Sequence, residues 1–165
     1  MSGSPPVISF IAPSGTGKTT YLVQLIPLLV ERGLRVATVK HDAHSFQMDR
    51  EGKDTHRLRT AGATRVAIAN PRELAVLGDS MGQDELEALV PMLGPVDLVL
   101  VEGYREADVP KIVLARGDAP RAPYDAAADG VIAVVADVEL PGGRPHFPLD
   151  RPEALVPFLI DTFSL

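Results

Sequence analysis

The stretch at residues 7–19 reads Val-Ile-Ser-Phe-Ile-Ala-Pro-Ser-Gly-Thr-Gly-Lys-Thr, and a helical pattern follows it directly. A buried strand, a glycine-rich turn, Gly-Lys-Thr and a helix in this order are typical of the phosphate-binding loop of nucleoside-triphosphate proteins. Gly15 and Gly17 allow successive backbone N–H groups to point inward and form an anion-binding nest at a helix N-terminus. Lys18 is then placed to contact the outer phosphates, and the Thr19 hydroxyl to bind the accompanying Mg²⁺.

The whole loop is therefore predicted to bind nucleotide phosphates, through Pro13, Ser14, Gly15, Thr16, Gly17, Lys18, Thr19 and Thr20. One position departs from the motif, because Ala12 stands where the first glycine is usual. A methyl group is tolerated there as long as φ stays negative. The alternative interpretation is a glycine-rich turn that only caps a helix.

Length and composition indicate one globular domain over residues 1–165, with residues 1–6 expected to be flexible. Hydrophobic residues make up 45% of the chain and charged residues 23%, which is ordinary for such a domain. The chain has no cysteine, which excludes disulfides, thiolate zinc sites and thiol catalysis and suits the cytoplasm. The N-terminus does not have the pattern of a signal peptide, and no apolar run approaches the length of a membrane span.

The net charge of −6 is unevenly distributed. Residues 35–72 contain eight Lys and Arg against four Asp and Glu, whereas residues 73–165 contain six against seventeen. A basic middle in an acidic chain favours a local site for a small anion, because a nucleic-acid surface would need sustained positive charge. Two differently solvated faces are the alternative.

Short apolar runs alternate with helical patterns along the chain. The helix after the loop carries Leu22, Leu25, Ile26 and Leu29 on one face, and Pro27 lies inside it. Further helices are predicted from Asp54 to Gly62, around residues 86–93 and from Asp150 to Phe163. Asp54 and Asp150 are the predicted caps. Strands are predicted at 7–11, 36–39, 66–69, 74–77, 98–101, 111–115 and 131–136.

This pattern predicts an α/β protein with the P-loop NTPase fold, in which a mostly parallel β-sheet has helices on both faces. Ligands of such sheets bind beyond the carboxyl ends of the strands, where residues 40–42 and Glu102 follow apolar runs. Glu102 is predicted to orient water or to help hold Mg²⁺, with an exposed strand-end carboxylate as the alternative. Asp137 is predicted to be either structural or in contact with the base.

Several further motifs resemble one family. They are Lys40-His41-Asp42-Ala43-His44, Asp49, Gly52-Lys53-Asp54-Thr55, Arg59-Thr60-Ala61-Gly62-Ala63, Val101-Glu102-Gly103-Tyr104 and Pro110-Lys111-Ile112. Together with the loop they are similar to the molybdopterin-guanine dinucleotide biosynthesis protein B (MobB) family, over most of residues 7–116. Arg105 departs from the lysine that the family often has.

The resemblance implies a GTP-binding homodimer with weak GTPase activity. Such a protein assists a MobA-like guanylyltransferase, which attaches GMP to molybdopterin to make the guanine dinucleotide form of the molybdenum cofactor. Guanine preference depends on the resemblance alone. The implied catalytic residues are Lys18 and Glu102; Lys40, His41 and Lys53 join the loop in binding nucleotide, and Thr19, Asp42 and Glu102 bind Mg²⁺.

Other interpretations of these residues stay open. His41 and His44 have the spacing of a metal pair, although hydrogen bonding to a phosphate or carboxylate is favoured. Lys53, Arg57 and Arg59 are either a solvated helix face or an anion site for molybdopterin or the partner, near the loop if the second strand neighbours the first. A small-molecule kinase of the same class, or a nucleotide-switched adaptor without significant hydrolysis, is the alternative function.

Overall fold

The computed structural model describes residues 4–42, 46–80, 85–119 and 123–165. Contacts divide the chain into two compact units: the first runs up to His41 and resumes at Leu86, and the second is residues 42–85. The single domain expected from the length stays a prediction.

The first unit is built on a six-stranded sheet in which every neighbouring pair is parallel. Its order is β2-β5-β1-β6-β7-β8. The strands are β1 (Val7–Ile11), β2 (Val36–Lys40), β5 (Leu98–Glu102), β6 (Lys111–Ala115), β7 (Val131–Ala136) and β8 (His146–Pro148). The predicted parallel sheet is therefore confirmed, and the seven predicted strand positions match within one residue at each end.

Helices cover both faces of this sheet, as predicted. The helices α1 (Lys18–Val30) and α4 (Leu155–Phe163) pack on one face, where Leu25, Leu29 and Leu159 are fully buried. The short α3 (Leu86–Leu89) packs with Val99 and Val101 of β5 in a separate cluster. Because side chains alternate along a strand, Leu98 and Leu100 of β5 enter the α1 cluster instead.

Two features of the strands differ from the sequence analysis. β2 does not neighbour β1, because β5 lies between them and pairs with both. The condition under which the basic segment was expected near the loop is therefore not met. β8 is the strand that sequence analysis missed, because it has only three residues and ends in a proline that suits a sheet edge.

The helix ends also differ from prediction. Pro91 converts the second half of the predicted helix into a 3-10 turn, Val90–Leu93, and another 3-10 turn, Pro152–Ala154, precedes α4. Arg151 rather than Asp150 occupies the cap position of that turn, and among the described residues neither it nor the cap of α2 has a side-chain cap hydrogen bond. α1 continues through Pro27 without a break.

The second unit contains α2 (Asp54–Thr60) and an antiparallel hairpin of β3 (Arg65–Ala69) and β4 (Leu74–Gly78). The helix begins at Asp54, as predicted, but Lys53 rather than Asp54 occupies its cap position. The hairpin turns at Asn70, whose side-chain oxygen accepts hydrogen bonds from the N–H groups of Arg72 and Glu73. It forms a two-stranded sheet separate from the parallel one.

Within the described part of the chain, no helix is long and apolar enough to cross a membrane.

Candidate functional site

The glycine-rich loop connects β1 to α1 in the way the motif predicts. Gly17 is the N-cap of α1 and has φ +98°, a left-handed conformation that favours glycine. A Cβ atom on Gly17 would lie 3.3 Å from the guanidinium of Arg116, so a side chain here would be both strained and crowded. The sequence therefore needs glycine at this position for the loop to close.

The loop is held in shape by its own carbonyl groups. Thr16, which is 1% exposed, donates from its hydroxyl to the Pro13 carbonyl over 2.9 Å, and its N–H bonds the same oxygen. Pro13 is buried, whereas Ser14, Gly15 and Thr20 are exposed. The backbone N–H groups of exposed loop residues at a helix N-terminus are suited to donate hydrogen bonds to an anion.

Lys18 lies against this loop. Its ammonium donates to the carbonyl of Ala12 over 2.7 Å and to that of Pro13 over 3.2 Å. Burial lowers the pKa of Lys18; the Glu102 carboxylate opposes this by raising the pKa, and the positive charge of Lys40 lowers it. A phosphate beside Lys18 would relieve the unfavourable burial of its charge.

Glu102, at the end of β5, contacts two other predicted residues, Thr19 and Lys40. Its two carboxylate oxygens each accept from the Thr19 hydroxyl at 2.8 Å, and Oε1 lies 3.5 Å from the Lys40 ammonium. The Glu102 side chain is only 14% exposed, so its charge is held close to these partners. The register explains the meeting, because Glu102 pairs with Phe10 of β1 on one side and Lys40 of β2 on the other.

His41 lies beside this cluster and contacts it through its backbone. The His41 N–H donates to the Glu102 carbonyl over 2.9 Å, and its ring lies 4.6 Å from that of Tyr104. Gly103 between them has φ +102°, and a Cβ there would be 3.1 Å from the Cβ of His41. Ser9 donates from its hydroxyl to the Gly103 carbonyl. The Glu-Gly pair is thus a turn that keeps the carboxylate facing Thr19.

Not every predicted residue belongs to this first-unit cluster. Asp42 and Lys53 fall in the second unit, and their nucleotide and Mg²⁺ roles stay predictions. His44 lies outside the described residues. Among the residues the structure describes, no group of three or more His, Asp and Glu side chains could hold a metal ion on its own.

In the second unit, the basic side chains on and beside α2 are of two kinds, those held in ion pairs and those exposed to solvent. Arg59 lies 3.6 Å from Asp49 and from Asp79, and the Asp49 side chain is only 7% exposed, which marks Arg59 as a structural residue. Arg57 is 75% exposed and pairs loosely with Asp54 at 3.6 Å. Lys53 is exposed at the mouth of a cavity of about 430 Å³, whose apolar wall is Ile68, Ala75 and Leu77.

Arg116 is a site residue that sequence analysis missed. It follows β6, and its Nε donates to the Thr16 carbonyl over 3.2 Å although the two residues are 100 positions apart. No local pattern marks it, because its role arises only from β6 lying next to β1.

Comparison with known proteins gives consistent results. The family model for molybdopterin guanine dinucleotide synthesis protein B matches residues 7–137. The chain is 37% identical to the molybdopterin-guanine dinucleotide biosynthesis adapter protein of Escherichia coli over 94% of this chain and 92% of the relative. The protein of the same name from Haemophilus influenzae is 34% identical, over 96% and 90%.

A solved structure also matches. A crystal structure of molybdopterin-guanine biosynthesis protein B superposes with a TM-score of 0.73 at 27% identity, covering 94% of this chain and 99% of that one. The six-stranded parallel sheet with its helices thus has the P-loop NTPase-like architecture of these proteins.

Proposed function

The chain belongs to the molybdopterin guanine dinucleotide synthesis protein B family, and we propose that it acts as a GTP-binding adapter in the guanylation of molybdopterin. The adapter role in making the guanine dinucleotide is supported by relatives of that name, which are 37% and 34% identical over nearly their whole length. The nucleotide binding is supported above all by the convergence of Lys18, Thr19 and Glu102 at the phosphate loop.

A triphosphate is the ligand that this cluster fits best. The loop offers N–H groups at the start of a 13-residue helix, and the hydrogen bonds of the partly buried Lys18 ammonium to described residues go to neutral carbonyls. Exchanging a carbonyl for a phosphate oxygen would give Lys18 a charge-assisted hydrogen bond, which is stronger.

Magnesium fits the same cluster. Hydroxyl and carboxylate oxygens are the ligands that Mg²⁺ prefers, and Thr19 and Glu102 present both types within 2.8 Å of each other. These two residues would hold the ion, directly or through water, together with the phosphates. Bound there, Mg²⁺ would neutralise phosphate charge.

Hydrolysis is proposed to be slow. Glu102 is the carboxylate of the cluster, and it is already engaged by Thr19 and faces Lys40. A carboxylate held in this way is a poor general base, although it can orient a water molecule. The adapter would then remain in its nucleotide-bound form for long periods, which suits an accessory protein of the cytoplasm.

The partner proposed is the MobA-like guanylyltransferase, with molybdopterin as the shared ligand. Lys53 and Arg57 support this, because they are exposed cations on and beside α2 in an otherwise acidic chain. Molybdopterin is anionic, so exposed cations would attract either the cofactor itself or an acidic surface of the enzyme that carries it.

A homodimer is proposed as the assembly. Leu74 and Val76 lie on one face of the hairpin, opposite Ala69 and Ala67, and Leu74 is 71% and Val76 51% exposed. A two-stranded sheet by itself is marginally stable, and its apolar face and open edges are suited to pairing. A second copy of the chain would cover this face.

The test is a calorimetric titration of the protein with GTP and with ATP, with and without Mg²⁺, followed by phosphate release. We expect Mg²⁺-dependent binding with GTP preferred, and turnover far below that of a dedicated GTPase. Lys18→Ala should weaken binding tenfold to a thousandfold or more, because losing one partner of a desolvated charge pair removes about 2–5 kcal/mol.

The matched control is Arg32→Ala, which removes an exposed cation beyond the end of α1. Unchanged GTP affinity in a folded Lys18→Ala protein would contradict the loop assignment. Tight binding with no phosphate release at all would identify the alternative, an adaptor that nucleotide only switches.

A further inference from the structure

Arg116 approaches the phosphate loop from β6, the strand next to β1. Val113 of β6 pairs with Ile11, the last residue of β1, so the end of β6 runs on beside the loop. Arg116 follows directly, and its Nε donates to the Thr16 carbonyl over 3.2 Å. The loop is therefore held not only by its own residues but also by a side chain from another strand.

The backbone that carries the Arg116 side chain is fixed on both sides. Ala115 is 1% exposed and pairs with Ala136 of β7, so the end of β6 is held within the sheet. On the other side, the Gly117 N–H donates to Oδ1 of Asp137 over 2.8 Å. Arg116 therefore reaches the loop from a position that the sheet determines.

The peptide groups around Gly17 are held by different hydrogen bonds. The Thr16 N–H donates to the Pro13 carbonyl over 3.4 Å, which holds the peptide group before Thr16. The Gly17 carbonyl accepts from the Tyr21 N–H over 3.0 Å, which holds the peptide group after Gly17. The peptide group between Thr16 and Gly17 is held through its carbonyl by Arg116. This middle peptide group is the one that depends on a distant side chain.

Gly17 by itself does not fix the direction of the middle peptide group. A glycine adopts positive and negative φ about equally well, so a peptide group that precedes one can turn over with little backbone strain. The observed φ of +98° corresponds to one of these orientations. The hydrogen bond from Arg116 selects it, because turning the peptide group over would carry the Thr16 oxygen away from Nε.

The direction of the Thr16 carbonyl also sets the direction of the Gly17 N–H. The peptide group is planar and trans, so its N–H points opposite to its C=O and away from the Nε of Arg116. Convergent N–H groups of successive residues form the anion nest of a phosphate loop. A cation bonded to the carbonyl also polarises the peptide group, which makes its N–H a stronger donor.

The guanidinium of Arg116 is packed against the loop. A Cβ atom on Gly17 would lie 3.3 Å from Nη2. The carboxylate of Asp118 lies 3.9 Å from Nε and its side chain is 81% exposed, so this ion pair is weak. The hydrogen bond to the Thr16 carbonyl is therefore the contact through which Arg116 acts on the loop.

We propose that Arg116 is a positioning residue of the phosphate loop. By holding the Thr16 carbonyl, it fixes the middle peptide group before a ligand arrives, so that the Gly17 N–H is already directed for an anion. Preorganised donors bind an anion more tightly, because they do not have to be ordered when it binds. The proposal rests on the proposed binding of nucleotide phosphates and adds to it a residue from outside the loop motif.

Two substitutions of similar length separate the hydrogen bond from the charge. In Arg116→Gln, the amide nitrogen is as many bonds from the backbone as the arginine Nε, so the donor is kept and the charge is lost. Arg116→Met keeps the length and has no donor. We expect Arg116→Met to weaken the binding of GTP and of inorganic tripolyphosphate about tenfold each, and Arg116→Gln to bind both within about threefold of the parent. Calorimetry with Mg²⁺ measures these affinities.

The Gly17 amide gives a second readout, which needs no nucleotide. In the unliganded Arg116→Met protein, NMR relaxation dispersion should show exchange at Gly17 on the microsecond-to-millisecond timescale, because the middle peptide group turns over. The parent and Arg116→Gln should show much less exchange there. Circular dichroism checks that all the variants are folded.

The control is Arg32→Met, the same change at an exposed arginine beyond the end of α1. Equal losses of affinity in Arg116→Gln and Arg116→Met would overturn the proposal, because the charge and not the hydrogen bond would then be responsible. Parental Gly17 relaxation in Arg116→Met would overturn it as well. If the parent binds neither GTP nor tripolyphosphate, the proposed function fails, and the relaxation of Gly17 in the unliganded variants still decides whether Arg116 positions the loop.

Discussion

At the scale of single residues, the candidate site is organised around one carboxylate, that of Glu102. Glu102 accepts from Thr19 and faces Lys40, while Lys18 sits on backbone carbonyls nearby. In the proposed function, a phosphate oxygen would replace a neutral carbonyl at Lys18, and Mg²⁺ would lie at the oxygens of Thr19 and Glu102.

Glu102→Gln separates binding from hydrolysis. Glutamine keeps the size and one acceptor oxygen for Thr19 but loses the charge that would orient water or stabilise the ion. We expect GTP affinity to change less than about threefold and phosphate release to slow about tenfold or more. Single-turnover phosphate release measures the second quantity.

The control for this change is Glu106→Gln, which removes an exposed carboxylate four residues along the chain. Hydrolysis by Glu102→Gln at the parent rate would show that Glu102 only holds Thr19 and Lys40 in place.

At the scale of elements, the cationic side chains on and beside α2 have different structural environments. Arg59 is tied to Asp49 and Asp79 and stabilises the second unit, whereas Lys53 and Arg57 are exposed. The proposed partner site therefore consists of Lys53 and Arg57, and Arg59 should be left intact in any test of it.

Reversing both, as Lys53→Glu with Arg57→Glu, should weaken association with the guanylyltransferase. The effect should be larger at low salt than at high salt, because exposed charges are screened. GTP affinity should fall much less. A calorimetric titration of the two proteins at two salt concentrations measures this.

The matched control reverses Arg32 and Arg144 to Glu, which changes the net charge equally at two exposed positions of the first unit. If the parent protein and the Lys53/Arg57 variant bind the guanylyltransferase with equal affinity at low salt, these two side chains belong to a solvated face and not to the partner site. Circular dichroism checks that α2 survives, since Arg57→Glu puts like charges at i and i+3 with Asp54.

At the scale of the whole molecule, the apolar face of the hairpin predicts association. Leu74→Lys with Val76→Lys places two charges where a second copy would bury them, and a buried unpaired charge is strongly unfavourable. Light scattering after gel filtration should give twice 17.6 kDa for the parent and 17.6 kDa for the variant.

Val30→Lys is the control, because Val30 is an apolar side chain with similar exposure, 53%, at the end of α1. A parent protein that is monomeric at micromolar concentration would contradict the homodimer, and so would a double variant that stays dimeric through this face.

The sequence by itself determined the loop, the element types and the parallel sheet. These depend on neighbours in the chain: Lys18 contacts carbonyls five and six residues away, and apolar strands alternating with helices leave few other architectures. The positions of β1, β5 and β7 follow from their apolar runs alone. β8 and the 3-10 turn at Pro91 escaped prediction, because a three-residue edge strand and a proline late in a helical pattern give weak local signals.

Only the tertiary structure decided which strand ends meet. The Thr19–Glu102 and Arg116–Thr16 contacts join residues 83 and 100 positions apart, and they exist because β1 lies between β5 and β6. Strand order is not encoded in apolar runs of similar length and composition, since each could pair equally well with several neighbours. In the folded chain α1 and α4 pack on one face of the sheet and α3 on the other, and the strand order of that sheet brings the residues of the site together.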